Sequence, residues 1–173
     1  MQNPLVMTIM GKDRTGLVES LARLIADNGG NWLESRMCRL GGEFAGILRI
    51  HVPKDKEQML VQALHALQSE GLAVIIRPDE TISPAGQAKG ASLNLIGQDR
   101  PGIIFQISSV LANHNINVEE LETQCFSAPM SGEMIFTAIA RLQIPASCVM
   151  ADVRKELEEI GGELMVDVSF TET

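Results

Sequence analysis

The strongest constraint on this chain is that it carries one pattern twice. Residues 11 to 31 read GKDRTGLVESLARLIADNGGN and residues 97 to 117 read GQDRPGIIFQISSVLANHNIN, with a constant offset of 86. Gly11, Asp13, Arg14, Gly16 and Asn31 recur as Gly97, Asp99, Arg100, Gly102 and Asn117. The apolar Leu17, Val18, Leu21, Leu24 and Ile25 recur as Ile103, Ile104, Ile107, Val110 and Leu111. A 173-residue chain with such a repeat divides into two domains of about 80 residues, and 45% hydrophobic content is enough for two cores.

Periodicity assigns the same order of elements to each half. Residues 5–10 and 91–96 are short apolar runs ended by glycine, as buried strands are. A helix follows each, over 15–28 and 101–113, with one continuous apolar stripe. Asp13 and Asp99 are candidate N-caps, and Pro101 suits a first helical turn, where no amide partner is required. Extended segments follow at 31–40 and 43–52, joined by Gly41-Gly42, and at 116–126 and 133–143, joined by SAPMSG. Second helices are expected at 54–70, with Met59, Leu60, Ala63, Leu64 and Leu67 on one face, and at 146–160, with Val149, Val153, Leu157 and Ile160. Apolar strands at 72–77 and 164–170 close the halves. The Pro-, Gly- and polar-rich PDETISPAGQAKG reads as a linker, giving domains 1–78 and 91–173 about a linker 79–90. Each half is therefore βαββαβ, an α+β fold of the ferredoxin-like type. Right-handed crossovers place both helices on one face of an antiparallel four-stranded sheet.

Composition argues against several function classes. A net charge of −8, aromatic content of 3% and no tyrosine speak against direct nucleic-acid binding, which wants a basic patch or an aromatic platform. No apolar run approaches the roughly 20 residues that span a bilayer, and MQNPLVMTIMGKDR lacks the charged and apolar regions of a signal peptide. Cys38, Cys125 and Cys148 form no CxxC pair and read as reduced thiols of a cytoplasmic protein, Cys38 and Cys125 as packing residues on second strands. His51, His65 and His114 show no metal-ligand spacing. No nucleophile elbow or phosphate loop is present, so neither catalysis nor a cofactor is expected.

The DR[TP]G turn between a first strand and an apolar helix, with an asparagine 18 positions after each aspartate, resembles the signature of ACT domains, small modules that commonly bind amino acids. The resemblance covers both repeats and nearly the whole chain. Physical chemistry points the same way. A helix N-terminus offers unpaired amides to a carboxylate, and Gly16 and Gly102 permit close approach. Asp13 or Asp99 can meet an ammonium group, while Asn31 or Asn117 offers both donor and acceptor. The candidate ligand-binding residues are thus Asp13, Arg14, Gly16, Asn31, Asp99, Arg100, Gly102 and Asn117. The resemblance implies a site between two ACT units, pairing Asp13 with Asn117 or Asp99 with Asn31. A second reading has the aspartates only capping helices and the asparagines only ending turns. The first copy departs from the signature, with Thr15 where proline is usual; Pro101 makes the second loop stiffer and the better preorganised binder.

Among tandem ACT proteins without a catalytic domain, the likeness implies a non-enzymatic cytoplasmic regulator. It would repress glycine cleavage system genes by binding a DNA-bound transcriptional activator, with glycine as the small amino-acid effector that weakens the association. A homo-oligomer is left open. The alternative is an allosteric regulatory subunit or module of an amino-acid-metabolic enzyme, binding another small amino acid such as serine.

Overall fold

The computed structural model describes residues 1–80 and 89–172; residues 81–88 of the expected linker lie outside them. The chain falls into two units, Met1–Thr81 and Ile82–Thr173.

In the first unit the order is β1 (Gln2–Lys12), α1 (Leu17–Asp27), β2 (Asn31–Leu40), β3 (Glu43–Pro53), α2 (Glu57–Ala66) and β4 (Leu72–Pro78). The sheet is antiparallel in the order β2-β3-β1-β4. Alternate strand residues Leu5, Met7 and Ile9, Leu48, Ile50 and Val52, and Leu72 and Val74 share one core with Leu17, Leu21 and Ile25 of α1 and Leu60 and Leu64 of α2. A strand sends every second side chain to one face, so both helices lie on that face. Burying each of these leucines contributes about 1.5–3 kcal/mol, which is what fixes the register.

The second unit repeats this with β5 (Lys89–Gln98), α3 (Ile103–Asn113), β6 (Asn117–Ser127), β7 (Met134–Ile144), α4 (Met150–Leu164) and β8 (Val166–Glu172), in the order β6-β7-β5-β8. Leu93 and Leu95, Ala138, Ala140 and Leu142, and Val166 pack with Ile103, Ile107, Val110 and Leu111 of α3 and Val153 and Leu157 of α4. Both repeats bulge at the same place, between Trp32 and Glu34 and between Val118 and Glu120. The expected α+β architecture, four antiparallel strands with two helices on one face in each repeat, is what the chain adopts.

Several boundaries differ from expectation, each for a local reason. Helix α1 starts at Leu17 and α3 at Ile103, because Gly16 and Gly102 sit in left-handed backbone (φ 91° and 95°) that a helix cannot include. Pro101 therefore precedes the helix instead of opening its first turn. The expected helix 54–70 is α2 followed by a tighter 3-10 turn, Leu67–Glu70, ended by left-handed Gly71. Helix α4 runs four residues past 160, so Leu164 is a buried helical residue and β8 starts only after left-handed Met165. Met59 and Val149, expected on apolar helix faces, are exposed. At the linker, Asp79 is tied back to the first unit, its N–H donating to Pro4 O at 3.0 Å and its carboxylate 2.7 Å from Arg49 Nη2. Lys89 and Gly90 are already part of β5. Among the described residues no helix is long and apolar enough to cross a membrane.

Candidate functional site

The turn that ends each first strand is held by the same backbone contact. The Asp13 N–H donates to Gly42 O at 3.0 Å, and the Asp99 N–H donates to Met134 O at 2.8 Å. That bond ties the DR[TP]G loop to the hairpin beside it. Gly16 and Gly102 then take positive φ and become the N-cap residues, with no side chain capping either helix. The expectation that Asp13 and Asp99 cap the helices is therefore corrected. Each lies three positions before the glycine that performs this role, and its carboxylate is engaged elsewhere. The consequence is chemical: the first amides of α1 and α3 have no intrahelical acceptor and no side-chain cap, an arrangement suited to an incoming anion.

The glycines of the loop also owe their identity to something other than crowding. A Cβ on Gly16 would meet nothing within 4 Å and one on Gly102 only Gln106 Nε2 at 3.9 Å, so positive φ alone demands glycine there. Close approach is instead required at Gly11 and Gly97, where a Cβ would fall 2.5 Å from Gly71 O and Met165 O. These two let the last strand of each sheet enter next to the loop.

Around the first loop lies a cleft of about 430 Å³ lined by Asp13, Arg14, Gly16, Leu17, Val18, Glu19, Ala22 and Phe44, within the size range of small-molecule pockets. The charged members already have ionic partners within the unit. Asp13 Oδ2 lies 2.7 Å from Arg39 Nε, Arg14 Nη2 lies 3.1 Å from Glu70 Oε2, and Glu19 pairs with Arg23.

The second loop has different company. Asp99 is the charged group that acts on the Cys125 thiol. Arg100 Nη2 donates to Gln98 Oε1 at 3.1 Å and contacts Met165 Sδ at 3.2 Å. Loss of water around its sulfur, then the hydrogen bond and charge of Asp99, raise the Cys125 thiol above its ordinary value and keep it protonated. Cys38 and Cys125, expected to be packing residues, are both exposed. Cys148 is half-buried against the second core, and burial followed by the charge of Asp152 raises its thiol.

Asn31 and Asn117 do not join the loop of their own repeat. Asn31 opens β2 across from His51, and His51 pairs with Pro4 near the start of β1, whereas Asp13 follows the far end of that strand. Lys12 is eight residues further along the strand than Pro4, a span of roughly 26 Å. Asn117 stands likewise at the opposite end of its sheet, across from Gln143, which pairs with Gly90. Arg39 and Glu70 were not singled out by sequence, and Cys125 only as a packing residue. Arg39 and Cys125 share the 86-residue offset of the motif, and that spacing was the available signal. Among the described residues no group of three or more His, Cys, Asp or Glu side chains is placed to hold a metal ion.

Comparison with known proteins agrees with this architecture. Models of the ACT domain match residues 3–77 and 91–144. The glycine cleavage system transcriptional repressor of Escherichia coli is 25% identical over 94% of this chain and 86% of its own. A UPF0237 protein of Methanopyrus kandleri is 36% identical over 45% of this chain and 81% of its own. Among solved structures, a protein of unknown function from Galdieria sulphuraria is 29% identical with a TM-score of 0.87, covering 100% of this chain and 99% of that one. The crystal structure of a protein provisionally described as a glycine cleavage system transcriptional repressor has a TM-score of 0.69 at 20% identity, covering 100% and 98%. At that identity the likeness concerns the fold.

Proposed function

This chain belongs to the ACT-domain family, with two such domains in tandem, and on that footing we propose that it is a non-enzymatic regulator responsive to a small amino acid. The observation that carries the proposal is the loop geometry. In each repeat an aspartate and an arginine come just before a helix whose first amides no side chain caps. A free amino acid presents the complementary pair, an ammonium group and a carboxylate, in one small molecule. Asp13, Arg14 and Gly16, or Asp99, Arg100 and Gly102, form the effector loop.

The likeness over 94% of the chain to a glycine cleavage system transcriptional repressor supports a role in gene control, with glycine as effector. Net charge of −8 favours a protein partner over DNA, so the partner is a DNA-bound transcriptional activator. Glycine then acts by linkage: it dissociates the complex only because it binds the free regulator more tightly than the bound one. Affinity capture from cell extract, with and without glycine, tests this. A DNA-binding transcription regulator recovered only without glycine is the expected result. Recovery of an amino-acid-metabolic enzyme would replace this reading with that of an allosteric module.

A further inference from the structure

The effector loops leave one large surface of each unit without a role, the face of the sheet turned away from its helices. We propose that the protein pairs with itself through these faces. The open face of the first unit in one copy packs on that of the second unit in another, and a two-fold pair makes both contacts at once. Across the middle of the first face run Arg36, Ile47, Thr8 and Ile75, with Met10 in the next row. The equivalent row of the second face reads Glu122, Ile139, Asn94 and Ser169, with Ile96 and Asp167 in the next. Met10, Ile47 and Ile75, and likewise Ile96 and Ile139, are more than half exposed. An antiparallel sheet with one face in water carries polar residues at such positions. Isoleucines in mid-strand on the uncovered side instead mark a contact surface.

Charge selects a second copy as the partner. On the first face Arg36 lies 3.0 Å from Glu34, and Arg49 lies 2.7 Å from Asp79. Arg77, two residues on from Ile75 and so on the same face, has no ionic partner among the described residues. On the second face Glu120 lies 3.4 Å from Arg141. Glu122 and Asp167 have no ionic partner there among the described residues. One face thus carries a cation in excess and the other two carboxylates. Unlike faces attract and like faces repel, which pairs first unit with second. The overall charge of −8 on each copy opposes approach, but salt screens it beyond about 8 Å at physiological strength, and face-to-face contacts lie inside that distance.

Area agrees with a reciprocal pair. Four strands about 4.8 Å apart and seven paired residues at about 3.4 Å give each face about 450 Å². One contact then buries about 900 Å² and two bury about 1,800 Å², against the roughly 1,200–2,000 Å² of a stable interface. The two-fold pair reaches that range and a single contact does not.

Sedimentation velocity on the whole chain tests the pairing, and wild type is expected to run as a dimer at micromolar concentration. Ile47→Glu sets a carboxylate against the acidic face, and Ile139→Lys sets a cation against the basic one. Each changes a side chain already in water, so the fold should hold while the dimer is lost. If Ile47→Glu fails to fold, the milder Ile47→Ser reads the same loss. Arg36→Glu with Arg77→Glu makes both faces of a chain acidic, and Glu122→Arg with Asp167→Arg makes both basic. Each double variant should be a monomer alone, and an equimolar mixture should restore the dimer. A monomeric wild type would overturn the proposal, as would a dimer untouched by Ile47→Glu or a mixture no larger than its components. Wild-type assembly that grows past a dimer would overturn the two-fold pairing.

Discussion

Arg39 and Cys125 occupy the same position in the two repeats, each in the cross-strand row that runs through a phenylalanine to the penultimate residue of the first strand, Gly11 or Gly97. Arg39 gives its loop aspartate a counter-ion, whereas Cys125 is a thiol whose ionisation the charge of Asp99 opposes. Duplication has preserved the backbone of the loop while the chemistry facing it has diverged.

The thiol offers a direct readout of that divergence. Its raised pKa favours the protonated form in the folded chain. The stability this contributes is fully present below the ordinary thiol value and is lost as pH climbs through the raised one. Alkylation by iodoacetamide needs the thiolate, so Cys125 should be labelled slowly at mildly alkaline pH. Asp99→Asn removes the charge that opposes ionisation and should move the pH–rate profile of Cys125 to lower pH. Labelling quantified by mass spectrometry checks this; an unmoved profile would separate Cys125 from Asp99.

Two classes of glycine should fail differently. Gly16→Ala and Gly102→Ala place a β-carbon in left-handed backbone with open space around it, costing about 1–2 kcal/mol each. Gly97→Ala drives a β-carbon against Met165 O at 2.5 Å, and such overpacking costs about 1–3 kcal/mol or more where backbone must shift. Asparagine tolerates positive φ, so Gly102→Asn should recover part of the loss while Gly97→Asn recovers none. Urea unfolding of the five variants distinguishes the two causes.

The cores make a sharper prediction. Leu157 is 1% exposed and Leu121 is 50% exposed, though both belong to the helix-covered side of the second unit. Leu157→Ala should cost about 2–5 kcal/mol and Leu121→Ala no more than about 0.5–1 kcal/mol, in proportion to the area each removes from water. Denaturant midpoints at a common m-value would show the difference.

Direct DNA recognition is not expected of the purified protein. With a net charge of −8 and 3% aromatic residues, phosphate contacts would be few and the chain would be repelled overall. A gel-shift assay with glycine cleavage promoter DNA should give no sequence-specific complex at physiological salt unless the partner is added.

The order of elements was legible because it rests on local signals, apolar stripes such as Leu17–Leu21–Ile25 and turns such as Gly41-Gly42. The capping of the helices was misread. Aspartate is a favoured N-cap, but here the peptide of Asp13 is anchored to Gly42 O, and the chain needs three further residues before it turns into the helix. The residues that neutralise the first loop were less accessible still. Arg39 reaches Asp13 from β2, two strands away from β1, and Glu70 reaches Arg14 from the turn before β4. Their counterparts also drift out of phase: the offset is 86 for Arg39 and Cys125, 92 for Phe44 and Phe136, and 94 for Leu72 and Val166. A reading by constant offset stops at the longer second hairpin. Only the strand registers restore the correspondence.

The central claim is that the loops sense a small amino acid through their helix N-termini. Titrating glycine into isotopically labelled protein and following backbone amide resonances tests it most directly. The account predicts saturable shifts centred on the amides from Gly102 to Phe105, on the equivalent amides from Gly16 to Glu19, or on both. Absence of any saturable shift at millimolar glycine, serine or alanine, or shifts confined to residues away from both loops, would contradict it.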